Sequence, residues 1–110
     1  MNDSFYFDNS NGVKTLRCRA LDDIGFEKHC FTTRIGGVSR GYLSETNLSF
    51  SREARENVQE NYRRVFEAAG FSGSAVLSNQ QHTDSVLTVD SSHKTGGFWF
   101  AEQAVDGFVT

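Results

Sequence analysis

Proline is absent from this 110-residue chain, so its turns depend on glycine, asparagine, aspartate and serine, which adopt turn conformations readily. Long apolar runs are also absent, and none approaches the roughly 20 residues that cross a bilayer as a helix. The first twelve residues lack the basic and apolar segments of a signal peptide. We therefore expect a protein that has no membrane partner and is cytoplasmic.

Cysteine and positive charge are scarce as well. The two cysteines, Cys18 and Cys30, form no CxxC pair, and without a secretory signal we expect reduced core thiols. The chain has 11 Lys and Arg residues and 14 Asp and Glu residues, which gives a formal net charge of −3. Because proteins that bind nucleic acid usually carry a basic stripe, this balance speaks against a nucleic-acid partner.

The residues that are present favour one packed domain of the α+β class. The sequence is 37% hydrophobic and contains ten phenylalanines, which supports a packed core. Asn11-Gly12 between two strand-like segments predicts a hairpin. Its second strand, residues 13–20, places Leu16, Cys18 and Ala20 on one face. Further strands are expected at residues 26–33, 75–77, 86–89, 98–100 and 105–110.

One amphipathic helix is predicted at about residues 52–69. Its apolar positions recur at spacings of three and four, as in a helix with one buried face. These positions are Ala54, Val58, Tyr62, Val65, Phe66 and Ala69. Ser51 is expected to cap the start of the helix, and Gly70 is expected to end it in a left-handed conformation.

One glycine-containing loop has residues that suit an anion. Arg34 lies two positions before the pair Gly36-Gly37, where backbone N–H groups can turn toward a ligand. A guanidinium together with such amides matches the oxygens of phosphate or carboxylate. A hairpin turn with a surface arginine explains the same residues, and the sequence leaves both interpretations open.

Three further polar residues are candidates for a site. His82 lies in a polar run between two strand-like segments, and neutral imidazole is a common metal ligand. Zinc needs three or four ligands, and the adjacent His29 and Cys30 would point to opposite faces of a strand, so a complete site is not expected within this chain. Asn47 either contacts a ligand or starts the turn before the helix, and Asp106 either orients a neighbour or closes a turn.

In their order and spacing, these segments resemble the laccase-domain family. Residues 29–41 read HCFTTRIGGVSRG and are similar to the family signature HGFSTRxGGVSxG. Four later segments are similar to further motifs: Asn47-Leu48 to the end of SLNL, residues 56–64 to the V-x-x-NRRR helix, residues 79–82 to NQVH, and residues 106–110 to DALVT. The sequence departs from the family motifs at three places. Cys30 replaces the glycine of the first signature, Glu45-Thr46 replaces the Ser-Leu of SLNL, and Thr83 replaces a glycine that often follows the histidine of NQVH.

The resemblance implies a function and a site. The family has been described both as multicopper polyphenol oxidases and as purine nucleoside phosphorylases with adenosine deaminase activity. Its zinc is held by the histidine of NQVH, here His82, by a cysteine of a TADC motif and by a histidine before a GWRG motif. The resemblance therefore implies Zn2+ at a catalytic His82. It also implies that Arg34 and Asn47 contact a purine nucleoside, such as adenosine, inosine or methylthioadenosine, and phosphate.

The family fold is a longer four-layer α/β/β/α sandwich with mixed sheets. Because the other two zinc ligands follow the DALVT strand, we expect residues 1–110 to be the N-terminal half of one such domain, truncated at its C-terminus and inactive alone. Unpaired strand edges and the cluster Phe98-Trp99-Phe100 would then promote self-association. Two alternatives remain open. One is a Cu2+-dependent polyphenol oxidase, although the chain has no His-x-His pair; the other is a non-catalytic interaction module.

Overall fold

The computed structural model describes residues 4–72, 75–93 and 97–109, apart from five side chains: Asn79, Ser91, Trp99, Glu102 and Gln103. The chain divides into two compact units, residues 1–72 and residues 73–110. An antiparallel sheet and the main helix belong to the first unit, and parallel strand pairs belong to the second. The predicted α+β class is confirmed, with antiparallel and parallel pairing in separate sheets rather than in mixed ones.

A hairpin opens the first unit. Strand β1 (Phe5–Ser10) pairs antiparallel with β2 (Val13–Cys18) along its whole length. Between them, Asn11 and Gly12 have φ angles of 54° and 80°. A two-residue turn of type I′ needs positive φ at both positions, and asparagine and glycine adopt it at the lowest cost. The predicted Asn-Gly hairpin is confirmed.

The buried face of β2 is not the predicted one. Val13 and Thr15 are 2% and 1% exposed, whereas Leu16 and Cys18 are only half-buried. Successive side chains of a strand point to opposite faces. Because the main helix packs against β2, the face that carries Val13 and Thr15 is covered instead of the face that carries Leu16.

The segment that follows β2 is less extended than predicted. Helix α1 (Arg19–Asp23) takes up the predicted end of the strand and leaves Ala20 exposed. The strand predicted at residues 26–33 shortens to β3 (Phe31–Thr32), which pairs antiparallel with β2. The imidazole of His29 bonds to the last N–H of β2 and to a carbonyl three residues before itself, so the chain turns there instead of running along the sheet.

The main helix, α2 (Arg55–Ala69), covers the hairpin. Val58 and Val65 are 0% and 4% exposed, and burial of each valine contributes about 1.5–3 kcal/mol. Gly70 ends the helix with a φ of 79°, as predicted. Among the described residues, no helix has the length and apolar character needed to span a membrane.

The start of α2 differs from the prediction by three residues, since the expected start was residue 52. The N-cap is Ala54, which makes no side-chain cap bond, so the expected cap at Ser51 is wrong. The Ser51 hydroxyl lies 2.9 Å from the hydroxyl of Ser49. The Glu53 carboxylate binds side chains of the preceding loops and of the first helical turn. These bonds hold residues 49–53 in turns before the helix.

Two parallel strand pairs form the second unit. Strand β4 (Ala75–Asn79) pairs with β6 (Phe98–Ala104), and β5 (Val86–Thr88) pairs with β7 (Gly107–Val109). Strands therefore form in all four predicted regions, but the last one starts at Gly107 and not at residue 105, and Thr110 lies outside the described residues. The buried apolar residues of the unit are Ala75, Ala101 and Val105.

The aromatic cluster predicted at residues 98–100 is described only in part. Phe100 is 42% exposed and Phe98 is half-buried, while the side chain of Trp99 lies outside the described part. A larger exposed aromatic group belongs to the first unit, on the outer face of β1 and β3. Phe5, Phe7 and Phe31 are 48%, 59% and 56% exposed there.

Candidate functional site

Arg34 lies in the loop that follows β3, and its guanidinium is exposed. Within the described part of the chain, no acidic side chain forms an ion pair with it. The Arg34 carbonyl accepts hydrogen bonds of 3.0 Å from the Glu45 N–H and from the Thr46 hydroxyl. These two bonds fix the backbone of the loop and leave the guanidinium available to an anion.

Packing requires glycine at both positions of the pair in this loop: a Cβ atom on Gly36, whose φ is 112°, would lie 2.6 Å from Val13 Cα. A Cβ atom on Gly37 would lie 2.6 Å from Asn61 Oδ1 and would overlap the Glu45 carbonyl oxygen, so packing requires a glycine there. The Gly36 N–H donates a 2.9 Å hydrogen bond to Oε1 of Glu45. Of the two positions, Gly36 is therefore the one whose amide already meets an anionic group.

A buried asparagine ties the Arg34 loop to α2. Asn61 is 0% exposed, and its Oδ1 accepts the Val38 N–H at 2.8 Å. Its Nδ2 donates to Ser39 Oγ and to the Asn47 carbonyl oxygen, each at 2.8 Å. The buried face of the helix is predicted from apolar residues alone, so Asn61 is not among the residues expected there. The available signal was a polar residue in the apolar stripe, three positions after one buried valine and four before the next.

The side chain of Asn47 is engaged within its own turn. Its Nδ2 donates to the Ser49 carbonyl oxygen at 3.1 Å and to Glu53 Oε1 at 3.0 Å. Its Oδ1 accepts the Ser49 N–H at 3.1 Å. The arrangement is an Asx turn, and it leaves one lone pair of Oδ1 beyond these bonds.

Glu53 links Asn47 to the helix and to the Arg34 loop. In addition to Asn47, its carboxylate accepts hydrogen bonds from Ser39 Oγ at 2.7 Å and from Asn57 Nδ2 at 3.0 Å. These bonds, the one from Asn47 first, lower the pKa of Glu53. Charge-assisted bonds of this kind are stronger than neutral ones, so the ionised carboxylate holds three segments together.

Two of the predicted site residues therefore lie in one connected part of the first unit. Thr46, the neighbour of Asn47, donates to the Arg34 carbonyl, and Asn61 bonds to both segments. His82 belongs to the second unit and is described separately.

His82 occupies an exposed turn between β4 and β5. Its backbone has a φ of 58°, a left-handed value that is uncommon for residues other than glycine. The Asp106 carboxylate fills the turn: Oδ2 accepts the His82 N–H at 2.8 Å, and Oδ1 accepts the Gln81 N–H at 2.9 Å and the Thr83 hydroxyl at 3.2 Å. These bonds, the one from Gln81 first, lower the pKa of Asp106.

The three histidines differ in what their imidazoles contact. His29 is 8% exposed; its Nε2 accepts the Cys18 N–H at 2.9 Å and its Nδ1 lies 2.8 Å from the Phe26 carbonyl oxygen, so both ring nitrogens are used. The His93 Nδ1 accepts the Asp90 N–H at 3.1 Å. No described residue forms a hydrogen bond with the imidazole of His82. The two ring nitrogens of His82 are thus available to an external ligand.

The described residues supply at most one ligand of a metal centre at His82. In this part of the chain, no three His, Cys, Asp or Glu side chains lie close enough together to hold a metal ion. Cys18 and Cys30 are free thiols, as expected, but both are half-buried and do not lie in the core. Partial burial raises the pKa of the Cys30 thiol.

Comparison with known proteins identifies the family. The sequence profile of the multi-copper polyphenol oxidoreductase laccase family matches residues 28–110, about three-quarters of the chain. No curated protein and no solved structure matches the chain. The matched region begins at the residue before His29 and includes the Arg34 loop, α2, the His82 turn and Asp106. The chain belongs to the multi-copper polyphenol oxidoreductase laccase family.

Proposed function

We propose that this chain is the N-terminal part of a zinc-dependent purine nucleoside phosphorylase with adenosine deaminase activity, built as a four-layer α/β/β/α sandwich. The observation that carries the proposal is the His82 turn. An exposed imidazole without a hydrogen-bond partner among the described residues is held on a turn that Asp106 fixes through two backbone amides. It lies at the position of the NQVH histidine in the motif order.

In this proposal His82 is one of three zinc ligands. The resemblance implies that the other two, a cysteine and a histidine, come from segments that follow the Asp106 strand. Three protein ligands leave a fourth position open, which is the arrangement of catalytic rather than structural zinc. When bound, zinc supplies a Lewis acid that lowers the pKa of a coordinated water to about 7. The part played by this chain is to hold the backbone of the His82 turn through Asp106 and to leave the imidazole exposed to the metal.

The Arg34 loop is the proposed phosphate site. In phosphorolysis, an oxygen of phosphate forms a bond to C1′ of the ribose while the C1′–N9 bond breaks. The purine leaves with the bonding electron pair and takes up a proton, which yields ribose 1-phosphate and the free base. The exposed guanidinium of Arg34 and the amide of Gly36 can bind phosphate oxygens. Asn47 can accept one hydrogen bond from the sugar or base through the remaining lone pair of Oδ1.

The proposal is tested by turnover in the complete polypeptide, including the cysteine and the second histidine. Adenosine with phosphate is expected to yield adenine and ribose 1-phosphate by phosphorolysis, and inosine and ammonia by deamination. His82→Ala is expected to abolish most turnover and to lower zinc per chain, whereas His93→Ala, the matched control, leaves both unchanged. Absence of purine or inosine products above a blank would show the proposed activity to be wrong, as would unchanged zinc and turnover in His82→Ala.

A copper-dependent oxidation of phenols is the second candidate, favoured by the description of the family as multi-copper polyphenol oxidoreductases. Copper oxidases of this kind need several copper ions with imidazole-rich ligand sets. Elemental analysis of the complete polypeptide distinguishes the two candidates. Copper in stoichiometric excess over zinc, together with oxygen-dependent oxidation of a phenol, would favour the oxidase.

The exposed aromatic face of the first unit favours an additional role in association. The rings of Phe5 and Phe31 meet edge to face at 6.4 Å, and Phe7 lies beside them on the same side of the sheet. Large exposed apolar patches usually contact another protein surface. We propose that residues 1–110 alone self-associate through this face. Sedimentation of the chain and of Phe7→Ser tests this, and a monomer at all concentrations in the unaltered chain would exclude it.

A further inference from the structure

The backbone amides of the Arg34 loop are bound to acceptors that differ in chemical type and exposure. The Ile35 N–H bonds to the Thr33 hydroxyl of the same loop at 3.3 Å. The Val38 N–H bonds to the buried Asn61, and the Ser39 N–H bonds to a backbone carbonyl, each at 2.8 Å. The Gly36 N–H differs, because its acceptor is the carboxylate of Glu45, an exposed side chain.

Glu45 is fixed by its backbone and not by its side chain. Its N–H donates to the Arg34 carbonyl, and its own carbonyl accepts the Ser39 N–H, so the residue cannot leave the loop as a whole. The carboxylate makes one described contact, the 2.9 Å bond to Gly36. In the described part of the chain, no cation pairs with this carboxylate. A side-chain rotation would therefore release the Gly36 N–H without disturbing the backbone.

We propose that Glu45 is an internal competitor for the oxyanion that this loop binds. Its carboxylate occupies the position that an oxygen of phosphate would take on the Gly36 N–H, and its charge repels an incoming anion at short range. Phosphate binds after the Glu45 side chain has turned away, and the exposed Arg34 guanidinium, which pairs with no described acidic side chain, is available to the phosphate. Glu45 in this way sets the phosphate affinity of the loop, an inference that rests on the proposed phosphate site.

Titration with inorganic phosphate, followed by amide NMR of the 15N-labelled chain at constant ionic strength, tests this inference. The unaltered chain is compared with Glu45→Gln and Glu45→Ala, and Glu27→Gln controls for the loss of one negative charge elsewhere. Removal of the carboxylate is expected to tighten phosphate binding about five- to tenfold, a typical range for loss of one adjacent like charge at a surface. The largest shift should be at the Gly36 amide. Glu27→Gln should bind phosphate like the unaltered chain.

Each other outcome overturns the inference. Equal phosphate affinity in the unaltered chain and both Glu45 variants would show that the carboxylate does not compete. An equal increase in phosphate affinity in Glu27→Gln would show that the effect comes from net charge alone. Chemical-shift changes remote from Gly36, or no phosphate binding by any variant, would show that the loop is not a phosphate site. Because no nucleoside, metal or turnover enters the measurement, its result is independent of the activity assay. If the turnover assay fails but Glu45→Gln binds phosphate more tightly, the proposed reaction is wrong and the role of Glu45 as a competitor of phosphate still holds.

Discussion

The His82 N–H donates a 2.8 Å hydrogen bond to Oδ2 of Asp106, a residue 24 positions later in the chain. The two meet because β5 and β7 run parallel and start side by side, with Val86 opposite Gly107. Asp106 directly precedes β7, so its carboxylate reaches back over the turn that precedes β5. Two sequence segments that look independent, residues 79–82 and residues 106–109, thus lie together in the structure.

The first prediction concerns this contact. In Asp106→Asn, one carboxylate oxygen becomes an NH2 group that cannot accept a hydrogen bond. We expect the amides of Gln81 and His82 to exchange with solvent much faster, while β4 and β6 keep their protection. Asp84→Asn, an exposed aspartate in the same segment, is the matched control and should leave the exchange unchanged. Unaltered exchange at His82 in Asp106→Asn would contradict the role given to Asp106.

The pH dependence of the turn follows from the same bonds. Because the folded state lowers the pKa of Asp106, the unfolded chain takes up the proton at a higher pH than the folded chain. The stabilisation is therefore complete above the ordinary carboxyl range and is lost as the pH falls toward the lowered value. Protection of the His82 amide should decline over that acidic interval, and Asp106→Asn should remove this pH dependence.

The local elements of the fold could be predicted from the sequence because short-range chemistry determines them. Asn11-Gly12 specifies its turn through backbone conformation alone, and Gly70 ends α2 for the same reason. The buried face of β2 could not be predicted, since it depends on which side α2 covers. Thr15 is buried there, while the more apolar Leu16 is not.

The site followed the same division. His82, Arg34 and Asn47 could be singled out as candidates because they lie in recognisable motifs and their residue types suit metal or anion binding; their roles stay predictions. Asn61 and the bond from Glu45 to Gly36 were missed, since they arise from contacts between segments distant in sequence. The local sequence pattern does not show that Asn61, an asparagine among the apolar positions of α2, accepts a hydrogen bond from the Val38 N–H of the loop.

The second prediction tests the buried amide of α2. Asn61→Ala would leave the half-buried Val38 N–H and Asn47 carbonyl without their partner, and an unsatisfied polar group away from water costs about 1–3 kcal/mol. We expect the free energy of unfolding to fall by about 2–4 kcal/mol, measured by urea denaturation with circular dichroism, which reports on α2. Asn57→Ala, at an exposed position of the same helix, should cost less than about 1 kcal/mol. Equal losses in the two variants would contradict the role of Asn61.

The third prediction concerns the glycine at position 37. A methyl group in Gly37→Ala would overlap the Glu45 carbonyl oxygen and crowd Asn61 Oδ1, so the loop must separate from α2. Overpacking of this kind typically costs about 1–3 kcal/mol or more. Gly41→Ala is the control in the same loop. Its Cβ would meet nothing within 4 Å, and only its φ of 66° would add a cost, about 1–2 kcal/mol. Hydrogen exchange measures the difference: the Val38 amide should lose its protection from exchange in Gly37→Ala and keep it in Gly41→Ala.

The fourth prediction concerns Glu60, which accepts hydrogen bonds from two arginines of α2. Nε and Nη2 of Arg63 bind its two oxygens at 2.8 and 2.7 Å, and Nε of Arg64 binds Oε2 at 2.8 Å. These bonds, those of Arg63 first, lower the pKa of Glu60 from 4.5 to about 2. The contribution of Glu60 to stability is therefore complete above pH 4.5 and is lost as the pH falls toward 2.

Carbon-13 NMR of the Glu60 carboxyl group measures this pKa directly. Arg63→Gln should move it upward toward 4.5, the ordinary value, because the bidentate partner is gone. Arg52→Gln removes one positive charge outside the helix and should leave the pKa of Glu60 unchanged. Since the side chains of Arg63 and Glu60 are 58% and 32% exposed, concentrated salt should raise the pKa of Glu60 in the unaltered chain by screening the pair. A titration near 4.5 in the unaltered chain would mean that Arg63 does not hold this carboxylate in solution.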